Sequence, residues 1–472
     1  MRVFKMTLSG IALAVLSGCA SAPNIDQAQH TSQTFSNALS THVLLSEVAK
    51  QSEQNWWQQL NIAELDQLVV DVLDKNQNLK ASMARLRAAL AGLSMQQRAN
   101  LPQGGLAVSG NRSNTPSSSN PNADVVSSAA AGGNVNWQLD LSGRIAALTS
   151  AAEAVAVDSQ AQYQQLVTEL VSTSVRSFLQ WQNLQQQQAL TLNQLKALED
   201  SMEIIQVRIE EGIATELELN RTRVQYYELK QRLPQIGVEL AQVEQILSAL
   251  TDKRADELSF TVLSQTDYDA LNLTVNVQSA DDALMQRGDI RSAMAKVHQQ
   301  GYLAQSAERA LYPDISLSAF AGVLNIPGMN FNNTQSNWQV APSINWSLFS
   351  YPQLLAQLDA QTALSEASYH SYKQTLTDAL SQTELSLRAL QHAQQQFALS
   401  TQTVKAARAA YQQAEAGYQE GQLAYLDLLA ARQDVLSAER SQVLIRNQWL
   451  SASVAAYSQL SGGWSSQLVS NL

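Results

Sequence analysis

Apolar and polar residues alternate without a break along Asn134-Val135-Asn136-Trp137-Gln138-Leu139-Asp140-Leu141. They alternate again over 338–348, where Trp338, Val340, Pro342, Ile344, Trp346 and Leu348 take turns with Gln339, Ala341, Ser343, Asn345 and Ser347. A period of two predicts strands with one apolar and one polar face. Leu106 with Val108, and Ile315, Leu317, Ala319, Ala321 and Val323, form weaker partner runs. The links 112–122 and 325–333 are rich in Asn, Ser, Pro and Gly and read as exposed hairpin loops. Elsewhere the period becomes helical. From 144 to about 250, and from 353 to about 460, prolines are scarce and apolar residues recur as at Leu184, Leu190, Leu195, Leu198 and Ile205. Pro234 predicts a kink or local unwinding. A helix unbroken from Arg144 to Glu211 would run about 100 Å at 1.5 Å per residue, longer than a globular core needs. Coiled-coil packing is the expectation, with small residues such as Ala151, Ala154, Ala161, Ala360 and Ala363 allowing close approach.

The same landmarks occur twice in the same order. Leu79 and Ile290 lie 211 residues apart, as do Pro102 and Pro313; Trp137 and Trp346 lie 209 apart, as do Gly212 and Gly421. A repeat of that length is too long for a solenoid and reads as one duplicated unit: a helix ending before a proline, two strands, then two long helices separated by a glycine. The expected segments are 19–250 (strands about 104–141, long helices about 144–250), an inter-repeat segment 251–283, and 284–472 (strands about 314–348, long helices about 353–460).

The first residues carry a different signal. Arg2 and Lys5 precede a short apolar run, which makes a secretory leader of 1–18. Leu16-Ser17-Gly18-Cys19 resembles the lipobox of bacterial lipoproteins, which makes Cys19 the lipidated first residue of the mature chain. Ala20 in the next position implies sorting to the outer membrane, with acyl chains as the anchor. Cys19 is the only cysteine, so no intrachain disulfide can form.

Charge and chemistry narrow the classes further. The net charge is −11 and no basic stripe exists, which argues against nucleic acid as a partner. Five scattered histidines, His30, His42, His298, His370 and His392, lack metal-ligand spacing, so neither a metal nor a cofactor beyond the lipid on Cys19 is expected. Neither a phosphate-binding loop nor a compact nucleophile, base and acid set appears, and an enzyme is not expected.

Four strands of about ten residues, apolar on one face, match tilted transmembrane strands. Four cannot close a barrel, and an open edge in hydrocarbon leaves backbone groups unpaired, so the chain must associate; two copies or three would serve. Trp137, Trp338 and Trp346 suit a membrane-interface belt.

The order of short motifs then resembles one family. These are Trp56-Trp57, Asn76 with Leu79, Arg98-Ala99-Asn100-Leu101-Pro102, Trp137-Gln138-Leu139-Asp140-Leu141-Ser142-Gly143-Arg144, Arg287-Gly288-Asp289-Ile290, Tyr312-Pro313, Trp346-Ser347-Leu348-Phe349, Tyr418-Gln419-Glu420-Gly421 and Leu460-Ser461-Gly462-Gly463-Trp464. Together they resemble the TolC-type outer-membrane factors, in the lipoprotein branch that serves RND (resistance-nodulation-division) efflux pumps. Gly288, where the family usually has proline, and Ser142, where it usually has an aromatic, are departures. The resemblance implies a mainly α protein with membrane β structure. It would form a homotrimer whose twelve-stranded outer-membrane barrel continues as an α-helical periplasmic tunnel, girdled by the chain ends and the inter-repeat segment. It implies a Gram-negative outer-membrane location and a passive exit duct for drugs or other toxic solutes, docked to a periplasmic adaptor and an inner-membrane RND pump. At the periplasmic tip it implies gate candidates Leu426, Asp427 and Arg432, Ala430 standing where some members have a second acid. Glu211-Gly212-Ile213 and Glu420-Gly421-Gln422 become candidate adaptor-contact turns. The alternatives are an exit duct for type I protein secretion and, in another class, a periplasmic coiled-coil adaptor.

Overall fold

The computed structural model describes residues 55–114, 125–275, 285–325 and 334–460. Cys19 and the leader, the tips of both strand hairpins, 276–284 and 461–472 lie outside them. The elements are α1 (Ala63–Lys75), α2 (Gln77–Arg98), β1 (Gln103–Ser113), β2 (Val126–Leu139), α3 (Arg144–Glu210), α4 (Glu216–Lys230), α5 (Arg232–Thr251), α6 (Gln265–Ala270), α7 (Gly288–Arg309), β3 (Asp314–Asn325), β4 (Thr334–Asn345), α8 (Tyr351–Gln419) and α9 (Tyr425–Gln459). They group into two compact units, one from Ser94–Ala151 and His298–Glu366, the other from Leu44–Leu93, Ala152–Val297 and Ala367–Leu472 so far as these are described.

The first unit holds an antiparallel four-stranded sheet in the order β1-β2-β3-β4, with β2 of the first repeat paired to β3 of the second. The register aligns Leu106 with Gly133, Trp137 with Leu317, Ala319 with Val340 and Ala321 with Trp338, so the apolar sets of all four strands share one face. That face is bare in the chain: Leu106 is 93% exposed, Val108 85% and Ile344 72%. The opposite face carries Asn134, Asn136, Gln138, Ser316, Ser318, Gln339 and Ser343, with Phe320 the aromatic exception. Pro342 lies on edge strand β4, where a residue without an N–H is tolerated.

Two boundaries differ from the alternating pattern. β2 begins at Val126 rather than 134, because the run Ser127-Ser128-Ala129-Ala130-Ala131-Gly132-Gly133 has no large side chains and so no visible alternation. It also stops at Leu139, where the Asp140 carboxylate leaves the sheet to accept from the N–H groups of Ile145 (3.0 Å) and Ala146 (2.7 Å) and satisfies free donors at the start of α3. Likewise β4 ends at Asn345, leaving Trp346 and Leu348 beyond it.

In the second unit, the first repeat's second long helix is two helices. α4 ends at Lys230 and α5 starts at Arg232; the interruption falls at Gln231, which keeps a right-handed helical backbone (φ −63°, ψ −14°) and donates to Tyr227 O (3.0 Å), three residues before Pro234, whose ring cannot supply an N–H to the turn behind it. The core draws on distant parts of the chain: Trp56, Leu65 and Val72 from the N-terminal side, Phe178, Leu179 and Leu184 of α3, Leu247 of α5, and Leu450 and Val454 of α9. Asp71 on α1 meets Lys253 at 2.6 Å, and that bond holds the carboxyl below its usual pKa.

After α5 the chain runs as a strap over 252–275, held largely through its backbone. Gln182 of α3 pairs with it like a short strand, its amide donating to Thr261 O (2.8 Å) and its carbonyl accepting from Leu263 N (3.0 Å). Gln186 donates to Leu263 O, and Arg446 of α9 donates to the carbonyls of Tyr268 (3.0 Å) and Leu271 (2.9 Å). Asn183 donates to the Tyr268 hydroxyl at 3.0 Å. Burial pushes that phenol up to about 12, so it stays protonated.

Candidate functional site

The two reversals of the long helices share one geometry. Gly212 (φ +74°) and Gly421 (φ +73°) take the left-handed conformation that glycine adopts without steric penalty. In the first turn Gly212 N donates to Ile209 O (2.9 Å) and Ile213 N to Arg208 O (2.8 Å); in the second Gly421 N donates to Tyr418 O (3.1 Å) and Gln422 N to Gly417 O (2.8 Å). Both are Schellman caps that satisfy the last free carbonyls of α3 and α8. Glu211, Ile213, Glu420 and Gln422 are exposed beside the glycines, Ile213 at 61%. The Gly421 position has open space around it, so backbone strain alone sets the effect of substitution there. Gly421→Val is therefore expected to cost about 1–3 kcal/mol, and Gly421→Asn distinctly less. Thermal unfolding and protease nicking at 420–424 would check this, and equal effects of the two substitutions would contradict it.

Cross-links bind the two hairpins together near these turns. The Arg208 guanidinium lies 4.9 Å from the centre of the Tyr418 ring, Tyr418 packs edge-on against Tyr425, and the Tyr425 hydroxyl shares a 2.6 Å hydrogen bond with Thr222 of α4. Burial raises the Tyr425 pKa, which keeps that hydroxyl neutral. Two turns further on, Arg432 donates to the Ser201 hydroxyl and to the Ala197 carbonyl (2.7 Å), tying α9 to α3 within the chain. Gln225 donates to Gln433 at 2.9 Å, tying α4 to α9.

Asp427 stands in the first turn of α9, where the helix dipole favours a carboxylate. It is exposed and, among the described residues, its carboxylate makes no hydrogen bond or ion pair. Leu426 beside it is 43% exposed. Thus Leu426, Asp427 and Arg432 lie within two turns of one helix end; Arg432 is engaged and Asp427 is free. The bonds from Arg432 to Ser201 and Ala197 join residues over 230 positions apart, as their separations of 231 and 235 record, and no motif in the sequence announces them.

The tryptophans of the sheet fall into two groups. Trp137 Nε1 donates to Asn100 O (2.9 Å) and Trp346 Nε1 to Leu311 O (3.1 Å), in each repeat the carbonyl two residues before the proline that precedes the first strand. Both indoles therefore fasten the second strand of a hairpin to the helix end before it, with their rings partly exposed. Trp338 is elsewhere, mid-strand opposite Ala321 and 76% exposed on the apolar face.

No group of three His, Cys, Asp or Glu side chains among the described residues could hold a metal ion, and none of the described helices is long and apolar enough to cross a membrane. An open cleft of about 950 Å³ is lined by Gln186, Leu263, Lys405, Arg408 and Glu439 among others. Arg408 and Glu439 are paired there at 2.7 Å.

Known proteins match over nearly the whole chain. The family model described as outer membrane efflux protein matches residues 68–252 and 280–462, one stretch in each repeat. The toluene efflux pump outer membrane protein TtgC of Pseudomonas putida is 27% identical over 98% of this chain and 97% of its own. The pyoverdine export outer membrane protein OpmQ of Pseudomonas aeruginosa is 25% identical over 88% of each chain. Among solved structures, the outer-membrane channel OprN superposes with a TM-score of 0.82 at 26% identity, covering 95% of this chain and 98% of that one. With a family match in both repeats, a bare apolar sheet face and long helices reversed by paired caps, this chain belongs to the outer membrane efflux protein family and is an outer-membrane channel of the TolC-like fold.

Proposed function

We propose that this chain is the passive exit duct of a tripartite RND-type pump, working as a homotrimer beneath which a periplasmic adaptor and an inner-membrane pump dock. The observation that carries this reading is the sheet. Its apolar face is exposed along all four strands and its edges, β1 and β4, need pairing partners that other copies can supply. Three copies would give a twelve-stranded barrel with the polar face lining a wet lumen. Trp137 and Trp346, at the helix-bearing end of the sheet, would rest at the periplasmic interface of the outer membrane. Cys19 would carry the lipid, as Leu16-Ser17-Gly18-Cys19 indicates. The cargoes in the names of two relatives, toluene and pyoverdine, differ greatly in size and polarity, which supports a duct that selects little and leaves choice to the pump.

At the helix reversals, three Asp427 carboxylates would ring the constriction with Leu426 beside them, while Arg432 holds α9 to α3 in the narrow state. A ring of carboxylates favours cations and repels itself. Asp427→Ala is expected to lower the cation-to-anion permeability ratio several-fold in planar bilayers without altering assembly. Selectivity identical to the parent protein would remove Asp427 from the constriction. The turns around Gly212 and Gly421, with Glu211, Ile213, Glu420 and Gln422 exposed, are the surfaces offered to the adaptor.

A further inference from the structure

Away from the tip, at the break between α4 and α5, two arginines face one small cavity. Arg232, the first residue of α5, and Arg440 of α9 line a pocket of about 70 Å³ together with Gln187, Thr191 and Gln194 of α3 and Gln235 and Glu239 of α5. Both arginines are half-buried, and no carboxylate among the described residues forms an ion pair with either. Glu239, the one acid in the wall, instead accepts from Gln235 at 3.1 Å. The chain as a whole has 41 acidic residues to 30 basic ones, so an unmatched arginine pair is not forced by a shortage of carboxylates. Burial first, and then the neighbouring charge of Arg232, lower the pKa of Arg440.

We propose that Arg232 and Arg440 bind a small tetrahedral oxyanion, phosphate or sulfate, that clamps the start of α5 to α9 and to the α3 face between them. The chemistry fits: planar guanidiniums present paired N–H donors to such an oxyanion, and two of them would neutralise its charge. The amide nitrogens of Gln187, Gln194 and Gln235 each spend one N–H on Asn183, Glu439 and Glu239, leaving a second donor apiece for the pocket. The site lies beside the interruption at Gln231 between α4 and α5, where Pro234 leaves a carbonyl of the turn before it without its helical N–H, so an anion there would stiffen this junction.

The test uses the full-length protein in detergent, with unfolding followed by heating in phosphate or chloride at equal ionic strength. The expected result is a saturable phosphate-dependent rise in Tm that Arg440→Gln and Arg232→Gln each abolish, since ligand binding to the native state alone stabilises it. In chloride both variants should unfold no earlier than the parent, because each removes a repulsion. Phosphate and chloride curves that superpose for the parent protein, or a phosphate effect that persists in Arg440→Gln, would overturn the proposal. Crystals of the unmodified protein soaked in selenate give a readout independent of the variants. An anomalous peak between the two guanidiniums is expected, and an empty pocket refutes the site.

Discussion

Arg446→Ala is expected to destabilise the protein by about 3–5 kcal/mol and to release the strap over 255–275. Arg446 is only 4% exposed, yet its nearest carboxylate, Asp269, lies 3.9 Å away and is itself largely in solvent. Its partners are the carbonyls of Tyr268 and Leu271 and the faces of Phe397 (5.1 Å), Tyr268 (5.5 Å) and Trp449 (5.9 Å). Removing the guanidinium leaves the buried Leu271 carbonyl without a donor, leaves the Tyr268 carbonyl only the 3.3 Å bond from Leu271 N, and forfeits the cation–π contacts. Arg446→Lys should recover little, because one ammonium cannot reach both carbonyls in the fork geometry. Hydrogen exchange at the backbone of 255–275 reports this directly: protection should fall there first in both variants. Unchanged protection in Arg446→Ala would mean that α3, through Gln182 and Gln186, holds the strap unaided.

The second large effect belongs to Trp56. Its side chain is fully buried, stacks on Tyr457 of α9 at 4.8 Å with planes 7° apart, and meets Trp57 edge-on at 6.0 Å. Trp56→Ala opens a cavity in a core joining the N-terminal segment to α9 and is expected to cost about 3–5 kcal/mol. The indole N–H is buried without an acceptor, so it adds no bond to that sum. Trp56→Phe, which keeps an aromatic ring and removes the unmet donor, should therefore cost much less. Chemical unfolding of the two variants side by side checks the ranking. Equal losses would show that the indole as a whole, rather than its ring stacking, is what the site requires.

Much of this architecture is legible in the chain because it depends on local period. The alternation at 338–345 gives β4, the loss of prolines after Arg144 gives α3, and Gly212 and Gly421, 209 apart, mark two caps of the same geometry. Pro234 announces an interruption of the helix but not its position at Gln231, nor that the backbone there stays right-handed helical. What stays hidden is whatever depends on one polar side chain meeting a distant backbone. Gln182 lies among many glutamines of α3 and nothing in its neighbourhood marks it as the strap's partner, 79 residues from Thr261. The indole clasps of Trp137 and Trp346 look the same in sequence as interface aromatics, and residues 127–133 of β2 are too small to show which face they line. The gate region is mixed. Asp427 is visible as an acid just past the turn, while the hold of Arg432 on Ser201 and Ala197 follows only from the packing of α9 on α3.

The most direct test of the account is the mass and single-channel conductance of the purified full-length protein in planar bilayers. A trimer that inserts and conducts in small, cation-selective steps is the predicted result. A folded monomer that conducts in no lipid would contradict it, because the bare apolar face and unpaired edges of the four-stranded sheet would then need another explanation.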